Sequence, residues 1–236
     1  MMSTRDNAGN QEGVSTSRLE TLTDGVFAIA MTLLVFGLAV PDDLTQDKFY
    51  IALGNLLPSL LSLVISFLIL GVLWVATHTE FRSIRRADHA LMWLNLFFLL
   101  AVTLVPFSAG LMGHYHTFKV AVIIYGVNLL FCLFFHLGMW LHATRDRHLV
   151  DADLATGFIN FGIQLAIFPI AMYSIAIISA FFFTWVSLVL YAITPIPYIL
   201  GIFYRRLDSI RKASQDSQKR AANQTEMPGK VEAEED

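Results

Sequence analysis

Between Asp153 and Arg205 the chain runs through 51 residues without one Asp, Glu, Lys or Arg. Shorter gaps of the same kind separate Asp24 from Asp42 (17 residues), Lys48 from Glu80 (31), Asp88 from Lys119 (30) and Lys119 from Arg145 (25). Few folds are open to such a chain. In soluble domains about a quarter of the residues are charged, whereas a helix crossing a bilayer needs roughly 20 apolar residues and excludes charge from its centre. Each of the three middle gaps therefore holds one spanning helix. The longest holds two, with a turn near residues 179–184, just before Trp185, a residue type common at membrane interfaces. The first gap spans only if the polar segment before it lies at or within the membrane. The count is then six, and the expected fold is an all-α membrane protein, a six-transmembrane-helix bundle.

The basic residues test that count. With the N-terminus cytoplasmic, six crossings place fourteen of the 16 Lys and Arg residues inside, among them Arg82, Arg85, Arg86, Arg145, Arg147 and those of the tail. Only Lys48 and Lys119 fall outside, the bias that the positive-inside rule requires. Five crossings would strand the basic tail outside, so both termini are expected in the cytoplasm. Residues 1–17 lack the basic-then-apolar order of a cleaved signal and read as a disordered segment. The membrane domain covers 18–204, and 205–236 form a cytoplasmic extension of the last helix and a disordered tail.

Composition narrows the function. The chain is 56% hydrophobic and 15% charged, with a mean hydropathy of +0.59. A net charge of -3 does not supply the basic footprint of a nucleic-acid binder. The single cysteine excludes a disulfide framework and a cysteine-built zinc site. Any activity must sit in the helix bundle.

The first helix is the odd one. It opens Arg18-Leu19-Glu20-Thr21-Leu22-Thr23-Asp24-Gly25 and becomes apolar only over residues 26–40. Arg18 and Asp24 either lie in the headgroup layer or are paired within the membrane, because an unpaired intramembrane charge is costly. Leu22, Gly25, Ile29, Thr32, Leu33, Phe36 and Val40 recur at three- and four-residue steps and share one stripe. Packed on another helix, that stripe is core. Facing symmetry copies around an axis, it forms rings, with a hydrophobic constriction at Ile29 that can gate by dewetting and a hydroxyl layer at Thr32. Periodicity alone leaves both open.

Other constellations carry less. Of the histidines, His136 alone lies at depth, where a hydrogen bond to another helix is the default. His136 and His142 do not share a face, and no metal or haem is expected. Cys132 reads as an inert buried thiol. No H-E-x-x-H or G-x-S-x-G motif occurs, so no enzyme is expected. The cluster of Arg145, Asp146, Arg147 and His148 with Asp151 and Asp153 reads as a solvated loop. Pro106, Pro169, Pro195 and Pro197 are kinks that neighbouring helices tolerate; the second three helices do not repeat the first three, as an inverted-repeat transporter would.

Several blocks together resemble one family. Arg18-x-x-x-Leu22-Thr23-Asp24-Gly25-Val26-Phe27-Ala28-Ile29-Ala30 is similar to the Arg-x-x-x-Phe-Ser-Asp signature that opens the first helix of the transmembrane protein 175 family of potassium channels. The likeness continues through Trp74-Val75-Ala76-Thr77-His78, Asp88, Leu91-Met92-Trp93-Leu94-Asn95 and Leu104-Val105-Pro106-Phe107-Ser108. Leu22 and Thr23 stand where the family has Phe and Ser, and Thr77 where it commonly has a histidine. The resemblance implies a homotetramer in a cell membrane, a multi-pass protein of a prokaryotic plasma membrane, with helix one of each subunit lining a central potassium pathway. It implies Ile29 as the constriction, Thr32 as a hydroxyl layer, and Leu33 and Phe36 as further layers. Arg18, Thr23, Asp24, Trp74, His78 and Asn95 resemble the network that fixes the pore helix. No Thr-Val-Gly-Tyr-Gly filter occurs. The competing readings are a proton-coupled secondary transporter or proton-permeable channel, with Asp24, His78 and Asn95 as a relay, and a haem-bearing redox protein.

Overall fold

The structure, a computed structural model, describes residues 16–38, 46–147, 149–151 and 154–201, and these form an all-helical bundle. Helix α1 (Thr16–Leu33) runs on into a 3-10 turn (Leu34–Gly37). Helices α2 (Gln46–Asn55) and α3 (Leu57–Phe81) are nearly continuous, as are α4 (His89–Thr103) and α5 (Val105–His114). Then come α6 (Lys119–Thr144), α7 (Thr156–Ala180), α8 (Thr184–Ile193) and the short α9 (Ile196–Ile199). Five stretches are long and apolar enough to cross a membrane: Thr16–Gly37, Phe49–Phe81, His89–His114, Lys119–Arg147 and Thr156–Ala180. A sixth, Thr184–Ile199, is apolar but shorter. The expected tails fall outside the described residues, except that Thr16 and Ser17 already belong to α1; Val40, the end of the stripe, also falls outside.

Prolines set the internal breaks. Pro58 and Pro106 sit in the first turns of α3 and α5, where a missing N–H costs nothing, and so each marks a restart rather than a kink. Pro169 lies inside α7, which continues through it. Its missing N–H frees the carbonyl of Leu165 one turn back. The Tyr198 hydroxyl of α9 donates to that carbonyl at 2.6 Å, a repair of the kind that makes a membrane proline tolerable. The turn between α7 and α8 is where the charge gap placed it, and Lys119 Nζ donates to the Phe181 carbonyl there at 2.6 Å.

Helix α6 is the centre of the bundle, packed against α4, α5, α7 and α8. Tyr125, Tyr173 and Tyr191 stack edge-on in its core. The Tyr191 hydroxyl reaches the Val122 carbonyl at 3.1 Å because residue 126 is glycine: a Cβ there would lie 2.2 Å from that oxygen. Between helices, Ser62 donates to the Ala109 carbonyl at 2.7 Å and Asn128 to Ser108 at 3.0 Å, the polar contacts that hold helices together where lipid offers no hydrophobic drive.

One end of the bundle gathers the basic loops. An antiparallel bridge joins Ile84 to Val150, Arg85 pairs with Asp151 at 2.6 Å, and Thr16 at the start of α1 donates to the Arg85 carbonyl at 3.3 Å. The hydrogen bond and charge of Asp151 hold the Arg85 guanidinium above its ordinary pKa. Asp151 is thus tied to the α3–α4 loop rather than only solvated.

Candidate pore face and its brace

Helix α1 shows two faces. Leu19, Thr23, Phe27, Ala30 and Leu34 are buried against the rest of the bundle, chiefly α3 and α4. The other face carries the stripe read from the sequence: Leu22, Gly25, Ile29, Thr32, Leu33 and Phe36 are all exposed in the single subunit. The contrast is sharp, with Phe27 and Ala30 at 1% exposure against 60% for Ile29 and 78% for Phe36. Thr32 donates its hydroxyl proton to the Ile29 carbonyl at 2.8 Å, which leaves its oxygen lone pairs free to face outward. Val26, one residue round from Gly25, is partly buried against the core.

Three polar pairs hold the start of α1. Thr23, buried, donates to the Leu19 carbonyl at 2.8 Å and meets the amide of Asn95 on α4, which donates to it at 3.2 Å. Trp74 Nε1 on α3 donates to Asp24 at 2.8 Å. His78 stacks beneath Trp74, ring centroids 5.9 Å apart, and its Nδ1 lies 3.0 Å from Glu20. Five of the six residues singled out from the resemblance therefore meet around α1. Arg18 is exposed and makes none of the described contacts. Glu20 is the member that sequence reasoning missed, although it lies one turn before Asp24 and so on the same side of the helix.

Two further carboxylate–histidine pairs lie elsewhere. His142 on α6 donates to Asp88 at 2.8 Å, the same carboxylate that caps α4 by accepting from the Leu91 N–H. His136, also on α6, lies 3.4 Å from Glu80 near the end of α3. Among the described residues no three His, Cys, Asp or Glu side chains converge as metal ligands.

Known proteins give this geometry its context. The family model described as "Endosomal/lysosomal potassium channel TMEM175" matches residues 18–106, which contain α1 from Arg18 on and its partners Trp74, His78 and Asn95. A potassium channel of Streptomyces collinus is 37% identical over 138 residues, 57% of this chain and 67% of its own. The crystal structure of a lysosomal potassium-selective channel TMEM175 homolog from Chamaesiphon minutus superposes with a TM-score of 0.69 at 30% identity, covering 78% of this chain and 96% of that one. The bovine endosomal/lysosomal proton channel TMEM175 is 36% identical over 105 residues, 41% of this chain and 22% of its own length.

Proposed function

Because the chain belongs to the TMEM175 family, we propose that it is a potassium channel whose pathway is lined by α1 of four subunits. One observation carries this reading: α1 holds to its own subunit by one stripe and leaves Ile29, Thr32, Leu33 and Phe36 bare on the other. Lipid alone would cover an apolar outer face, but this one also carries exposed Gly25, with open space where a Cβ would stand, and the Thr32 hydroxyl, which suit close approach of copies around an axis. In that arrangement four Ile29 side chains form the narrowest ring, closed by exclusion of water. Thr32, its proton committed to the Ile29 carbonyl, turns oxygen lone pairs toward a partly hydrated cation. Leu33 and Phe36 form the next layers. The Thr23–Asn95 and Asp24–Trp74 bonds set the angle of the helix and hence the width of the ring. The basic loops and both termini face the cytoplasm.

The carrier reading has less support. A relay through Asp24, His78 and Asn95 needs one hydrogen-bonded chain. The three side chains instead belong to three separate pairs, with Trp74, Glu20 and Thr23. The test is potassium and sodium flux into liposomes holding the pure protein. Rapid potassium uptake that exceeds sodium uptake and needs no pH gradient is expected. Uptake that stops when the proton gradient is collapsed would overturn the channel reading in favour of a coupled carrier. Acidification recorded in the same vesicles measures proton permeability.

A further inference from the structure

Away from α1, a partly open cavity of about 70 Å³ lies between α3, α6, α7 and α9. One water takes ~10–15 Å³ of such a volume and ~30 Å³ in the liquid, so the space suits a molecule of ~150–200 Å³, benzene with a short substituent. Its walls are largely apolar, among them Leu133, Phe161 and Ala166. Of the polar side chains in them, Thr79, Trp140, Thr194 and Tyr198 already donate to backbone carbonyls; the others are Glu80, His136 and Tyr173.

Glu80 and His136 are unusual in so apolar a chamber. Glu80 lies in the last turn of α3, where the helix dipole disfavours a carboxylate, and its side chain is only 13% exposed. Its ion-pair neighbour among the described residues is His136, 3.4 Å away. His136 is 4% exposed, and neither of its ring nitrogens has a hydrogen-bond partner among the described residues. A carboxylate beside an imidazole that has no hydrogen-bond partner among the described residues, in a largely apolar chamber, matches a ligand with two N–H groups on one positive nitrogen. We propose that this cavity binds a small primary ammonium with an apolar body of about benzene size. Its nitrogen donates to both the Glu80 carboxylate and His136 Nε2, charge-assisted bonds of ~2.7–2.9 Å each, while the ring lies against Leu133 and Phe161.

Benzylamine is the probe, and toluene the uncharged control of the same shape. Full-length protein in detergent is titrated with each while thermal unfolding is followed, since a ligand that binds only the folded state raises Tm saturably. Benzylamine is expected to bind at least tenfold more tightly than toluene. Glu80→Gln should weaken benzylamine at least tenfold and leave toluene unchanged. Ala166→Leu, which fills the chamber without touching charge, should abolish both. Absence of a saturable shift, benzylamine no better than toluene, or affinity indifferent to either variant would each overturn the site. Should Glu80→Gln not fold, retained benzylamine affinity in Ala166→Leu does so alone. Displacement of benzylamine by an ethanolamine phospholipid added to the micelles would move the site to a lipid headgroup and overturn the free-amine reading.

Discussion

The bond between Thr23 and Asn95 has a direction, and its direction predicts an asymmetry. Thr23 has one proton and already gives it to the Leu19 carbonyl at 2.8 Å. Toward Asn95 it can then only accept, so the working bond is the one from Asn95 Nδ2 at 3.2 Å. Both residues are sealed, at 2% and 0% exposure. Thr23→Val keeps the shape of the side chain but strands the Asn95 amide, and a buried donor left without a partner costs ~1–3 kcal/mol. Asn95→Leu removes the donor itself and leaves Thr23 satisfied by Leu19, so its cost stays within ~0.5 kcal/mol, the low end of polar contacts inside membranes. The double variant should match Asn95→Leu, so the coupling equals the cost of Thr23→Val, ~1–3 kcal/mol, roughly a five- to 150-fold change in the folding equilibrium. Unfolding of purified protein by SDS titration in mixed micelles measures all four corners of the cycle. If Asn95→Leu costs as much as Thr23→Val or more, the amide has its principal partner elsewhere, and the account of how α1 is held is wrong.

Four further outcomes follow from the same geometry. Ile29→Asn should raise ion flux into liposomes and lower potassium over sodium discrimination, while Val26→Asn, partly buried beside it, should mainly reduce stability. The reverse pattern would put the pore on another face. Trp74→Phe removes the donor to Asp24 and should cost ~1 kcal/mol in the same SDS titration, modest for a charged acceptor because both groups are partly exposed. Tyr198→Phe should cost ~0.5–1.5 kcal/mol by releasing the Leu165 carbonyl, but nearly nothing in a Pro169→Ala background, where the restored N–H takes that carbonyl. A cysteine at exposed Thr117 should react with an impermeant label on whole cells, and one at exposed Asp146 should not; labelling of Asp146→Cys alone would invert the topology.

The spans were legible because charge is excluded from hydrocarbon whatever the tertiary structure, so gaps between charges mark helices directly. The same signal is blind to breaks that cost no charge. The gap from Lys48 to Glu80 reads as one helix, yet it holds the junction of α2 and α3 at Leu56, placed by Pro58. Helix α1 shows a deeper limit. Its stripe of Leu22, Gly25, Ile29, Thr32, Leu33 and Phe36 and its stripe of Leu19, Thr23, Phe27, Ala30 and Leu34 both recur at three- and four-residue steps and share a mixture of apolar, small and hydroxyl residues. In water the packed stripe would be the apolar one. In a membrane both are apolar, so the choice between them is made by neighbours on α3 and α4 that lie many tens of residues away in sequence. Only the packed bundle makes it, and it buries the second stripe. Glu80 illustrates the same point from the other side. In the sequence it merely ends a gap, one more charge near a membrane surface. That it enters a largely apolar chamber beside His136 depends on the end of α3 coming within side-chain reach of α6. A carboxylate that a sequence pattern treats as a boundary becomes a buried partner once a second helix is laid across it, and buried partners are where a membrane protein keeps its chemistry.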